Sequence, residues 1–252
     1  MNPAVSMSLG TISGVLMLAA SAAAGSVQAL EITSPEGPTE MIEVFTSEGC
    51  SSCPPADAWL RGLVDHPQLW SRYIPLGWHV DYWNRLGWRD RFSSPEYSVR
   101  QRRYRSEGGV ATVYTPGFVV SGDEWRNWFE DRSALPKLQT LDAERSGRLR
   151  ISVDGDAFSG RYSLAKSGQV LHLAVLGFGL ESEVTRGENN GRTLRHDFVV
   201  LDHRSYPLGA GATVWTGVLP KGSIPAPRYA LVGWISERGQ NRPLQAAGGW
   251  LR

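Results

Sequence analysis

A pair of cysteines three positions apart, Cys50-Ser51-Ser52-Cys53, stands between a β-rich run and a stretch of helical spacing. No other feature constrains the fold as much. Residues 41–46 form the β-rich run, and Ser47, Glu48 and Gly49 break it. Over 56–69 apolar residues recur at helical spacing, at Ala56, Leu60, Leu63 and Val64. These are the only two cysteines among 252 residues. A bond between them would close a loop so short that chain entropy assigns it about 2 kcal/mol, against ~4.7 kcal/mol for a 100-residue loop. A chain of this size has little use for so weak a staple, and chemistry explains the spacing better. A thiolate attacks a substrate disulfide, a mixed disulfide forms, and the second thiol resolves it intramolecularly. A helix N-terminus stabilises the thiolate and lowers its pKa. In this reading Cys50 is the exposed nucleophile and Cys53 the resolving thiol. With Cys53 as N-cap and Pro54 in the first helical position the helix starts cleanly. A start at Cys50 would forfeit one helical hydrogen bond at Pro55. Glu48 would oppose thiolate formation if it pointed at the sulfur.

The surroundings predict a mixed α/β half. Residues 74–83 alternate, with Ile74, Leu76, Trp78, Val80 and Tyr82 on one side and Gly77, His79, Asp81 and Trp83 on the other, which predicts a strand. Ser94-Pro95-Glu96 supplies an N-cap and a helix-opening proline, and Gly108-Gly109 stops that helix after Glu107. Runs at 118–120 and 124–128 flank Ser121-Gly122-Asp123, a hairpin signal, and 131–145 is helical in character. The order over 41–146 is β-α-β-α-β-β-α with a mixed sheet, and C-x-x-C beside such a βαβ pattern points to redox use. After Ser146-Gly147 the texture changes to short β-like runs separated by Gly, Asn, Asp and Pro. They predict a β-rich, sandwich-like domain over 147–252. Residues 30–40 carry Pro, Gly and acid without periodicity and read as an N-terminal tail.

Other residues bear on the chemistry. Thr115-Pro116 opens the strand at 118–120, and a cis bond there would expose backbone groups that can pair with an extended substrate segment. His79 and Asp81, about 7 Å apart on one strand face, are candidates for tuning the thiols. Thiolates also suit Cu(I), so Cys50, Cys53 and His79 make an alternative: a carrier of copper or another thiophilic metal. A further alternative is a non-enzymatic binding module whose cysteine pair is an inert disulfide. Zinc is a poorer match, because no other cysteine exists and no second ligand sits at zinc-finger spacing from His66, His79, His172, His196 or His203. No cofactor is implied, since P-loop, GxGxxG, HExxH and Ser-His-Asp patterns are absent. Arg85, Arg89, Arg91, Arg100, Arg102, Arg103 and Arg105 form one basic stretch, read as a solvated, ion-paired helix face. A formal net charge of +1 argues against nucleic acid as a partner. The ten tryptophans are expected in core and inter-domain packing, with Trp83 and Trp88 beside Asp81 as the exceptions.

The first 30 residues hold no Lys, Arg, Asp or Glu. Residues 1–29 read as a secretory signal peptide, with candidate cleavage sites at Ala22-Ala23-Ala24 and Val27-Gln28-Ala29. The expectation is a periplasmic or secreted protein in an oxidising compartment, with no stable membrane span after cleavage. Its partners would be exported proteins or small thiols.

Taken together, the stretch from Val44 to Asp57, Trp78-His79-Val80-Asp81-Tyr82-Trp83 with Leu86-Gly87-Trp88, Val113-Tyr114-Thr115-Pro116, and the stretch from Arg186 to Leu194 resemble the DUF1223 family of exported bacterial proteins. The resemblance runs from about residue 41 to the C-terminus. It implies a thioredoxin-like domain over 41–146, a dithiol site at Cys50 and Cys53 with Pro116 as the cis-proline, and no known substrate. Measured against ordinary thioredoxins, the spacer is Ser-Ser rather than Gly-Pro and Gly49 stands where tryptophan is usual. Val44 occupies the strand position of the buried acid. Glu43 has the opposite parity, so Asp81 or a reoriented Glu43 is left to accept the Cys53 proton.

Overall fold

The computed structural model describes Met1 and residues 29–137, 146–222 and 224–251. Strand β1 (Leu30–Thr33) falls within the residues expected as a tail. Strands β2 (Glu40–Thr46) and β3 (Tyr73–His79) are buried along their whole length, as parallel strands covered on both faces must be. They pair in parallel from Glu40–Tyr73 to Thr46–His79. Helix α1 (Pro54–Arg61) connects them, with Cys53 as N-cap and Pro54 first in the helix. It ends well before residue 69, and turns fill the rest of the connection.

A 3₁₀ turn at Asn84–Leu86 leads to helix α2 (Pro95–Ser106), whose N-cap Ser94 hydroxyl accepts the Glu96 N–H. Strand β4 (Gly117–Val120) runs antiparallel to β2 and turns into β5 (Asp123–Glu124). Helix α3 (Asn127–Glu130) comes earlier than the helix expected over 131–145. Asp131 is extended, and its carboxylate caps a turn at the Ser133 N–H instead (2.8 Å). The remainder of that expected helix, 138–145, lies outside the described residues, as do residues 2–28 of the expected signal peptide.

The rest of the chain is strand: β6 (Leu149–Asp154), β7 (Ala157–Tyr162), β8 (Gln169–Phe178), β9 (Leu180–Val184), β10 (Arg192–His196), β11 (Val199–Pro207), β12 (Trp215–Val218), β13 (Arg228–Glu237) and β14 (Pro243–Trp250). They do not keep to themselves. One mixed sheet of eight strands runs β14-β13-β8-β11-β3-β2-β4-β5, so both halves of the chain contribute. The seam is narrow: Val199 of β11 pairs with Gly77 of β3, and the Gly77 N–H donates to the Phe198 carbonyl (2.8 Å). A Cβ on Gly77 would sit 3.2 Å from Leu60 and 3.4 Å from that carbonyl, so glycine lets the strands and α1 close up.

A second sheet, β1-β6-β7-β12, takes up the supposed tail by pairing Leu30–Thr33 with β6. Strands β9 and β10 form a separate hairpin. One core cluster mixes Phe45, Trp78 and Tyr104 with Phe178, Phe198 and Trp234. Another joins Leu149, Ile151 and Trp215 of the smaller sheet to Leu173, Leu231 and Ile235 of the larger. The molecule is thus a mixed α/β protein, mostly strand, with one large mixed sheet and two smaller ones.

Glu43 takes no part in the cysteine region. Its buried carboxylate bonds the Arg100 guanidinium (Nε to Oε2, 2.5 Å) and accepts from the Tyr104 hydroxyl. Arg100, expected on a solvated face, is only 7% exposed and lies over Trp78 and Trp234 at 5.0 and 5.1 Å. The strand parity that kept Glu43 away from the cysteines aims it at α2.

Candidate functional site

The C-x-x-C segment lies at the C-terminal end of β2, where the chain turns into α1. The Cys50 N–H donates to Ser47 O (3.1 Å) and the Cys53 N–H to Cys50 O (3.2 Å). Both residues are thiols. The Cys50 sulfur sits 3.2 Å from Ser52 Oγ and 3.7 Å from the Thr115 carbonyl. A hydrogen bond from Cys53 holds its pKa at about 6 rather than 9.0, with Ser52 and Thr115 adding to the effect against burial. Burial, the bond to Cys50 and the Asp57 charge push the Cys53 pKa well above 9.0. The two thiols are therefore driven apart, one toward thiolate and one toward thiol. Cys50 is not the exposed group expected: it is 1% exposed.

The Thr115–Pro116 peptide bond is cis, and Pro116 is buried beside β4. The Thr115 hydroxyl accepts from Trp83 Nε1 (2.8 Å). His79 and Asp81 do not share a face, because β3 ends at His79. Asp81 turns to α2, where its N–H and carboxylate bond the Ser98 hydroxyl. His79 Nδ1 bonds Asp90 Oδ2 (2.7 Å). Among the described residues no group of three or more His, Cys, Asp or Glu is arranged to hold a metal ion.

Sequence reasoning passed over the acid that does face the dithiol. Asp57 lies four residues after Cys53, one helical turn on, and its N–H donates to the Cys53 carbonyl (3.1 Å). Its Oδ1 accepts from the Thr46 hydroxyl (2.7 Å), and Thr46 also hydrogen-bonds the Cys53 thiol. Burial raises the Asp57 pKa, against the pull of His196 and His79. Asp57 Oδ2 is 3.6 Å from His196 Nδ1, and His196 Nε2 is 3.3 Å from Glu48 Oε1, out of hydrogen-bond alignment. Glu48 Oε2 accepts from Trp88 Nε1 (2.8 Å). A cleft of about 190 Å³ lined by Pro54, Asp57, Arg61, Arg192 and His196 opens onto this cluster. The spacing Cys53-x-x-x-Asp57 was the signal that could have found it.

The His79–Asp90 pair has a measurable consequence. Burial disfavours the imidazolium, but the Asp90 carboxylate outweighs it and raises the His79 pKa from 6.5 to about 9. The pair's stabilisation is complete below about 6.5 and lost as pH rises through about 9. Cys50, with its depressed pKa, titrates in the opposite sense, so the clean measurement uses Cys50→Ser. Its urea midpoint is expected to fall between those two pH values, and a flat midpoint would mean that His79 is neutral in the fold.

A mixed α/β protein with a close Cys50–Cys53 pair at the start of a helix is the class that fold and site define. The chain belongs to the family described as protein of unknown function DUF1223, which matches residues 41–235. It is similar in fold to the crystal structure of protein AGR_C_4864 from Agrobacterium tumefaciens. That similarity has 23% identity and a TM-score of 0.57, and covers 86% of this chain and 96% of that one. It is also similar to HBP35 of Porphyromonas gingivalis, with 13% identity and a TM-score of 0.51, over 86% of this chain and 76% of that one. No curated protein matches the chain.

Proposed function

We propose that this protein is an exported thiol–disulfide oxidoreductase whose first half is a thioredoxin-like domain and whose β-rich half covers and supports the site. The observation that carries the reading is the Cys50–Cys53 pair at the start of α1, one sulfur held toward thiolate and its neighbour held as thiol. The Thr115–Pro116 loop, whose Thr115 carbonyl lies 3.7 Å from the Cys50 sulfur, supports it. The Cys50 thiolate attacks one sulfur of a substrate disulfide, displaces the other as a thiolate, and forms a mixed disulfide. Cys53 then loses its proton and attacks Cys50 Sγ, which releases the second substrate thiol. The substrate is reduced by two electrons and the protein ends with a Cys50–Cys53 disulfide. Run backward, the same steps oxidise a dithiol. Thr46 and Asp57 supply the route for the Cys53 proton, and the substrates are exported proteins or small thiols.

Two measurements test this. Cys53→Ser should accumulate mixed disulfides that thiol reductant dissolves, and Cys50→Ser should form none. Alkylation of Cys50 should rise with pH about a midpoint near 6. A midpoint above about 8, or a reduction potential below about −300 mV, would mark an inert structural pair and sink the proposal.

A further inference from the structure

Cys50 is a nucleophile under cover, and part of the cover comes from far along the chain. On one side the indole of Trp83 donates to Thr115, and Gly49 packs so close to Trp83 that a Cβ there would lie 3.0 Å from the Trp83 Cβ. On another side lies the loop between β9 and β10. Asn189 of that loop is fully buried. Its Nδ2 donates to both the Glu48 and the Cys50 carbonyls, at 2.9 Å each. Arg192 Nη1 holds the Asn189 side-chain oxygen (2.8 Å), and Glu188 Oε2 accepts the Ser51 N–H (2.9 Å). Gly187 and Gly191, at φ of 74° and 80°, stand within the loop on either side of this clamp. The backbone carbonyls of Glu48 and Cys50 are thus tied to a loop about 140 residues further on.

We propose that the loop carrying Glu188 and Asn189 is a selectivity cover that restricts the dithiol to the disulfides of small molecules. The inference rests on the thiol–disulfide reading above and names its substrate class. A disulfide in a folded protein brings two flanking chain segments with it, and those must pass the loop that holds the Ser51 N–H through Glu188 and the Cys50 carbonyl through Asn189. A small disulfide needs room only for its sulfur pair and one short substituent, and the exposed edge at Ser51 and Ser52 gives it an approach. Reaction with oxidised glutathione balances as two steps. Cys50 takes one glutathione sulfur and releases the other glutathione as thiolate. Cys53 then expels the first as a second thiolate, and the protein is left oxidised.

The test compares the rates at which pre-reduced protein reacts with oxidised glutathione and with insulin, for the wild type, Asn189→Ala and Glu188→Ala. The exposed Glu188 position carries little folding hazard, so it keeps the test alive if Asn189→Ala folds poorly. The wild type is expected to favour glutathione. Loss of the Asn189 bonds should raise the insulin-to-glutathione rate ratio about tenfold or more, the opening gained when two hydrogen bonds are removed. Equal wild-type rates on both substrates would overturn the cover and leave thiol exchange standing. A selective wild type whose ratio neither variant moves would overturn the role of the loop. No reaction with either substrate would overturn the redox reading itself, and the cover with it.

Discussion

Replacing Glu43 with alanine should cost about 3–5 kcal/mol of stability, the range for removing one partner from a buried ion pair. The carboxylate lies on an interior strand of the large sheet with no exposure. Its loss would strand the Arg100 guanidinium, whose raised pKa survives burial through the Glu43 charge. Two further groups lose their anchor with it. Tyr104 donates to Glu43, and Asn241, between β13 and β14, bonds both the Arg100 guanidinium and the Arg100 carbonyl. The pair therefore joins β2, α2 and the far edge of the sheet. Urea unfolding provides the measurement. Glu43→Leu with Arg100→Met should regain much of the loss, because apolar replacement removes the stranded charge as well as the bond. A loss below about 1 kcal/mol in Glu43→Ala would mean that water reaches Arg100 and the site is not dry.

The same pair marks how far the sequence could be read. Strand parity correctly turned Glu43 away from the cysteines, but parity names a face and not a partner, and Arg100 lies 57 residues on. Local signals were legible wherever one turn or one strand decides the outcome. Ser94 and Pro95 set the start of α2, Cys53 and Pro54 set that of α1, and the alternation from Ile74 onward located β3. The alternation misled beyond His79. There the Val80 N–H still donates to the Thr46 carbonyl (2.9 Å), Val80 forms an isolated bridge to Ser94, and the chain leaves the sheet, which separates Asp81 from His79. Leu30–Thr33 became a strand because β6 offered it an edge, a partner more than a hundred residues away. Cys50 looked exposed for the same reason, since Thr115, 65 residues on, lies against its sulfur and Asn189, 139 residues on, holds its carbonyl. After residue 147 the runs at 149–153, 170–178, 212–219 and 229–235 fall on β6, β8, β12 and β13, whereas 193–201 spans parts of β10 and β11, and β7, β9 and β14 carried no signal that was read. That β11 would join β3, and so extend one sheet through both halves, was set by packing at Gly77 and Phe198, which carries no local signature.

Replacing Asp57 with asparagine should slow the second chemical step by about 10²–10⁴-fold, the range for losing a positioned general base. Asparagine is close in shape and keeps an oxygen for the Thr46 hydroxyl, so the helix and its packing survive. What disappears is the group that receives the Cys53 proton. With Cys50 held in the mixed disulfide, burial and the Asp57 charge still push the Cys53 pKa up, so near neutrality few Cys53 thiolates form unaided. Thr46 bridges the thiol and Asp57 Oδ1, and the raised pKa of the buried carboxylate makes it a stronger base than an exposed aspartate. The 190 Å³ cleft beside His196 lets the proton pass on to solvent. One effect opposes: removing the Asp57 charge also lowers the Cys53 pKa, because that charge is one of the causes that raise it. The two roles separate in a pH profile. Loss of the base leaves a resolution rate that climbs tenfold per pH unit through neutrality, as free thiolate becomes the only reactant. Loss of the charge alone gives a faster step at every pH. The observable is the decay of the Cys50 mixed disulfide with glutathione in acid-quenched samples from pH 6 to 9. Formation of that mixed disulfide reports Cys50 separately. Unchanged or accelerated decay in Asp57→Asn would remove Asp57 from the proton path and leave it as a packing residue of α1.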